Sequence, residues 1–309
     1  MNHKTNAVHV EGYVFSHNLR ALVSKKTGTP FIMGDLNIAT DDTFTNVVPV
    51  HFTYVTETFK SGKANPTWEI LQELMAGGKT VESDGTDAMK VRIDGDVWVN
   101  DFVTRDGDMA SPKRVRGSFM HLMTGPLSDM PATFDVDMLI VAATEREVED
   151  GDDYLNLRGY VFNYREDALP IDVNVRSKGG MNYFEDCDIS SSNPLYTHIK
   201  GEIVSQSIIR EVTEESAFGE PIVRKVTRNL RTWDVTWASV EPYEWDDEST
   251  LTKKEFKKKL AEREEHLAQV KKDYEEYQAS RDGGQSFASK PAATVTTAVE
   301  DDDDNEFDF

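Results

Sequence analysis

Aromatic and basic residues recur with equal parity on strand-like runs of this chain. Tyr13 and Phe15 share one side of residues 8–15, and Val8, Val10 and Val14 take the other. Arg158, Tyr160, Phe162 and Tyr164 share a side in the same way over residues 154–164. Rings standing out from a strand suit single-stranded nucleic acid, because every base offers a π-face, at about 1–3 kcal/mol per stacked base. Lys113, Arg114 and Arg116, and Arg224 with Arg228, lie on or beside predicted strands and are the candidate phosphate contacts. A second chemistry sits in residues 301–309. Asp301, Asp302, Asp303, Asp304, Glu306 and Asp308 surround Phe307 and Phe309 with no positive side chain. An acidic string with an apolar tip is a flexible ligand, to be captured by a partner with a basic groove and a small hydrophobic pocket.

Signals for catalysis are thin. Gly77-Gly78-Lys79-Thr80 ends like a phosphate-binding loop, but the glycine required five residues before Gly78 is Glu73, and the stretch follows a predicted helix instead of a strand. The seven histidines have no paired ligand spacing, and Cys187 has no cysteine partner. No catalytic residue, metal or cofactor is expected. Carboxylate pairs such as Asp94/Asp96, Asp106/Asp108, Asp135/Asp137 and Asp186/Asp188 are the type a metal-dependent nuclease uses. Among 56 acidic residues such pairs arise by chance, so a nuclease is only the third alternative.

The elements that must position these side chains read mainly as strands. After residues 8–15 come strand-like runs at 30–38, 47–58 and 88–103, the last containing Asp94-Gly95 as a hairpin-turn signal. Between them Asn65 can cap a short helix, Pro66 suits its first turn, and Gly77-Gly78 ends it, with Trp68, Leu71 and Met75 on one face. Residues 114–123 give another strand. Three strands, a helix and two strands is the order of an OB-fold. Residues 126–131 read as a linker, after which Gly12-Tyr13-Val14-Phe15 recurs as Gly159-Tyr160-Val161-Phe162. The expectation is therefore a mainly β chain of two OB-like β-barrels, residues 1–127 and 128–245. One amphipathic helix follows within 246–280. Its stripe Phe256, Leu260, Leu267, Val270, Tyr274 and Tyr277 packs on the second barrel or pairs with another subunit in a homodimer. Residues 281–309 read as a disordered linker and acidic tail.

The acidic tip and the general plan resemble single-stranded DNA-binding proteins of bacteria and phages, whose disordered acidic tails end in Phe. With Asp308 in the penultimate place, where the bacterial type has Pro, the tip is closer to the phage type. The resemblance implies a protein that coats and protects single-stranded DNA in phage replication, recombination and repair. It also implies a tail that recruits a polymerase, helicase or primase, and action in the cytoplasm of the infected host.

Composition bounds this reading. The 309 residues carry one cysteine, no run of apolar residues long enough to cross a membrane, and a net charge of −22. From Asp282 onward eight acidic residues and one lysine give −7, leaving −15 on the body. An acidic body argues against nucleic acid and favours the alternative class, an acidic nucleic-acid mimic or scaffold without DNA affinity. DNA contact would then depend on local basic patches and stacking.

Overall fold

A computed structural model describes residues 3–147, 153–214 and 222–282, with side chains outside 207–229 and 281–282. The chain runs through β1 (Asn6–His17), β2 (Arg20–Val23), β3 (Pro30–Ala39), β4 (Val47–Thr56), α1 (Pro66–Met75), α2 (Val81–Asp84) and β5 (Lys90–Val99). A small β6 (Phe102–Val103) and β7 (Met109–Ala110) ribbon precedes β8 (Lys113–Leu122). Then come β9 (Ala132–Arg146), β10 (Tyr154–Phe162), β11 (Ala168–Val175), α3 (Lys178–Asp186), β12 (Leu195–Glu214), β13 (Ile222–Ala238) and α4 (Lys253–Asp282).

Eleven strands form one continuous sheet in the order β10-β11-β13-β12-β9-β1-β5-β8-β4-β3-β2, which closes on itself where β1 also reaches β3 and β9 also reaches β10. Pairing is antiparallel except at β4–β8 and β11–β13. Two separate barrels with one trailing helix are therefore not what forms: the strands make a single closed β-structure, and the described residues contain four α-helices. The predicted linker explains the difference. Its residues are stitched to β1, with Glu11 N donating to Pro131 O at 2.6 Å and Ser128 N to Glu11 Oε2 at 3.0 Å. The next strand is thereby laid beside the first, Val8 opposite Phe134.

The core is the inward face of this sheet, and β1 illustrates why its residues make a strand: Val8, Val10 and Val14 are buried while the alternate side chains are half-exposed. α1 forms as its signals require, with Asn65 Oδ1 accepting from Thr67 N at 3.1 Å and Trp68, Ile70, Leu71 and Leu74 buried, whereas Met75 faces out. Asp94-Gly95 is not a turn. β5 runs straight through it, with a register shift against β8, and a Cβ on Gly95 would strike the carbonyl oxygen of Arg116. The Gly-Tyr-Val-Phe match is no repeat either: Gly12 lies on β1, the opening strand of its half, and Gly159 on β10, which follows β9.

α4 spans the body. Thr252 and Glu255 cap it reciprocally, Glu255 N donating to Thr252 Oγ1 at 3.2 Å and Thr252 N to Glu255 Oε2 at 2.9 Å. Phe256 meets Tyr160 and Trp245 edge to face, Lys259 bonds Glu166, and one turn on Arg263 reaches Asp101 beside the β6–β7 ribbon. Along its apolar stripe Val270 is buried, Leu260, Leu267 and Tyr274 are half-buried, and Tyr277 is exposed.

Candidate nucleic-acid interface

On β4, β5 and β8 the alternation that buries Val50, Phe52, Val97, Val99 and Val115 turns His51, Trp98, Arg114 and Arg116 to the outer face. Trp98 lies opposite Arg114 across the β5–β8 ladder, and His51 opposite Arg116 across β4–β8. The His51 ring stacks on Trp98 with centroids 5.5 Å apart and planes 9° from parallel. Asp35 of β3 accepts from His51 at 2.7 Å and has Arg114 at 3.8 Å, and the His51 hydrogen bond holds its carboxyl below the usual carboxylate range. Further along the same face Phe31 and Tyr54 pack at 4.5 Å, and Phe59 lies 6.4 Å from Phe119. Half-exposed rings interleaved with guanidinium groups provide stacking surfaces and cations on one face, the chemistry of a single-strand track.

Electrostatically the face is nearly neutral. Arg116 is held in a fork by Asp96, Nε to Oδ1 at 2.9 Å and Nη2 to Oδ2 at 2.5 Å. Arg114 is the more available cation, with its side chain 40% exposed.

The remaining sequence candidates fall elsewhere. Lys113 points away to the other half of the molecule, bonding Asp172 at 2.9 Å with its ammonium 5.7 Å from the Trp233 ring centroid; burial pushes its pKa down, against the pull of Asp172. The pair joins β8 to β11. Tyr13 carries Lys90 over its ring at 4.7 Å, donates to Asp42 at 3.2 Å and lines a hollow of about 530 Å³ with Asp41, Asp42 and Asp129, an acidic setting for a phosphate. Phe15 is half-buried on β1. Tyr160 lies against Phe256 of α4. Phe162 is fully buried with Leu139, Ala168, Tyr196 and Leu251 and offers no ring face to a base; the 243–256 segment covers the side of β10 that alternation alone would leave open. Arg158 is exposed, and Tyr164 is 57% exposed with Lys4 at 5.9 Å. Arg224 and Arg228 pair through their backbones with Val212 and Ile208 on the β12–β13 ribbon, and their side chains lie outside the described residues. So do Asp301, Asp302, Asp303, Asp304, Glu306, Phe307, Asp308 and Phe309.

The structure thus gathers Arg114 and Arg116 with His51, Trp98, Phe31 and Tyr54, which sequence reasoning passed over. The signal was present in Val50-His51-Phe52 and Val97-Trp98-Val99, where a large polar or aromatic residue stands between two inward apolar ones. A second, buried polar cluster lies on β9 and β12. Asp137 accepts from Thr5 N at 2.7 Å, from His198 at 2.6 Å and from the Tyr243 hydroxyl at 2.9 Å. Burial pushes Asp137 up, but these bonds outweigh it and hold it low, while burial and Asp137 push Tyr243 up to about 12. No group of three or more His, Cys, Asp or Glu side chains is arranged to hold a metal ion among the described residues, and none of their helices is long and apolar enough to cross a membrane.

Comparison with solved structures finds similarity to a deletion mutant of the single-stranded DNA binding protein from Thermus aquaticus, 13% identical, with TM-score 0.49 over 79% of this chain and 97% of that one. A replication protein A heterotrimer bound to ssDNA is 8% identical, with TM-score 0.21 over 79% of this chain and 67% of that one. No curated protein matches in sequence. The YorF family model matches residues 4–273, and the chain belongs to the YorF family.

Proposed function

We propose that the chain is a non-catalytic binder of single-stranded DNA and that the strand runs over the outer face of β3, β4, β5 and β8. The observation that carries this reading is the His51–Trp98 stack with Arg114 beside it on the outer face of the sheet. Bases would stack on Trp98 and on the Phe31–Tyr54 pair, and phosphates would meet Arg114. Because Asp35 and Asp96 already engage the cations, affinity rests more on stacking than on charge. The biological role that fits is the coating of single strands during phage replication and recombination, with the acidic tip at 301–309 recruiting a polymerase, helicase or primase. A scaffold without DNA affinity is the second reading, favoured by the net charge of −22.

The test is nuclear magnetic resonance of the tryptophan indole N–H groups during titration with a thymidine oligomer of about 30 nucleotides. Trp98 should shift, and the buried Trp68 and Trp233 should not. An unmoved Trp98 at saturating oligomer and low salt would discard the interface.

A further inference from the structure

Among the described residues, β2 is the one strand of the large sheet with a single partner strand. Its open edge has a definite hydrogen-bonding pattern. Asn18 N donates to Asp35 O at 3.0 Å and Ser24 N to Thr29 O at 2.9 Å, and the register between them pairs Arg20 with Met33, Leu22 with Phe31 and Val23 with Pro30. Antiparallel ladders alternate bonded and non-bonded pairs, so Arg20 and Leu22 face β3 while the backbone N–H and C=O groups of Ala21 and Val23 point outward. Pro30, with no N–H, stands opposite Val23, in a non-bonded pair where none is needed. All four residues of β2 are exposed, Leu22 by 41% and Val23 by 63%. Arg20, Lys25 and Lys26 stand exposed around this edge, a local positive site on a chain of net charge −22.

We propose that this edge takes residues 300–309 of the same chain as an added strand. In extended conformation Phe307 and Phe309 fall on one side, continuing the row Tyr54, Phe31, Leu22, and Glu306 and Asp308 fall on the other. The segment's seven carboxylates are repelled by most of an acidic surface and attracted to Arg20, Lys25 and Lys26. Residues 283–299, 17 in number, lie between α4 and the segment. Such a tether spans about 20–25 Å on average and about 55 Å at full stretch.

Amide hydrogen exchange on the full chain tests it. In wild type the Ala21 and Val23 amides should exchange about tenfold more slowly than open edge amides, the protection given by a tether holding its strand at about ten times the Kd. The double variant Phe307→Ser/Phe309→Ser should remove that protection, and so should Lys25→Glu/Lys26→Glu, with exchange in β3 unchanged as the control for folding. Fast exchange of both amides in wild type would overturn the proposal. Protection that survives the tail variant and grows with protein concentration would also overturn it, assigning the edge to a second copy instead.

Discussion

Replacing Arg263 by Ala would leave Asp101 charged and poorly compensated at the joint between α4 and the β6–β7 ribbon. The Asp101 side chain is 8% exposed and that of Arg263 12%. Arg263 Nη2 donates to Asp101 Oδ1 at 2.7 Å and Nη1 to Oδ2 at 3.4 Å, with Ser111 Oγ at 2.6 Å and His266 Nε2 at 3.3 Å completing the shell. Removing one partner of a buried pair costs about 3–5 kcal/mol; with Ser111 and His266 still bonded, about 2–4 kcal/mol is expected here. For a body of this size that is a fall in Tm of about 5–15 °C. Urea and thermal unfolding followed by circular dichroism would measure it. Adding Asp101→Asn to the same chain should recover part of the loss, a coupling of at least about 1 kcal/mol. The pH dependence has a definite sign. Burial raises the Asp101 carboxyl but its hydrogen bonds from His266, Ser111 and Arg263 outweigh this and hold it low, so its contribution is present above about pH 4 and lost as pH falls through the folded value. The Asp101 hydrogen bond raises His266, so its contribution is full below about pH 6.5 and lost as pH rises through the folded value. Attachment of α4 should therefore be strongest between about pH 4 and 6.5. An Arg263→Ala chain within about 0.5 kcal/mol of wild type, with no coupling to Asp101, would refute this reasoning.

Two other expectations are simpler. Gly159→Ala puts a Cβ against the carbonyl of Leu139, with Ile140 Cα at 2.8 Å, and backbone cannot yield as a side chain can; a loss of about 1–3 kcal/mol in urea unfolding is expected, and a neutral result would mean the β9–β10 bulge is more plastic than described. Tyr243 should titrate near pH 12 by ultraviolet absorbance, and the stability it adds by staying protonated should hold below about pH 10 and fade as pH rises through the folded value; Tyr243→Phe should abolish that late step.

How far the sequence could be read follows from which signals are local. Strand positions and the inward residues were legible because period-two alternation is local, as Val8, Val10 and Val14 attest. α1 was legible through Asn65, Pro66 and Gly77, the last at φ 104°. α3 was missed because Gly179-Gly180 masks a helix whose true start signal is Ser177, which accepts from Gly180 N at 3.2 Å. The continuity of the sheet through β1–β9 depends on hydrogen bonds between residues far apart in the chain, which no local pattern announces. The site was half legible for the same reason. Arg114 and Arg116 showed themselves as a basic cluster, but their meeting with His51 and Trp98 is a matter of cross-strand register. Phe162 shared parity with exposed residues, yet the 243–256 segment returns to cover it.

The most direct test of a stacking interface on the N-terminal half is fluorescence anisotropy of a labelled thymidine oligomer of about 30 nucleotides, titrated across a salt series with wild type and Trp98→Ala. Wild type should bind with a shallow salt slope, and Trp98→Ala should weaken binding about five- to a hundredfold, the equivalent of one stacked base, without altering the slope. Equal binding by the two chains, or none by wild type at low salt, would contradict it and leave the acidic scaffold as the better description.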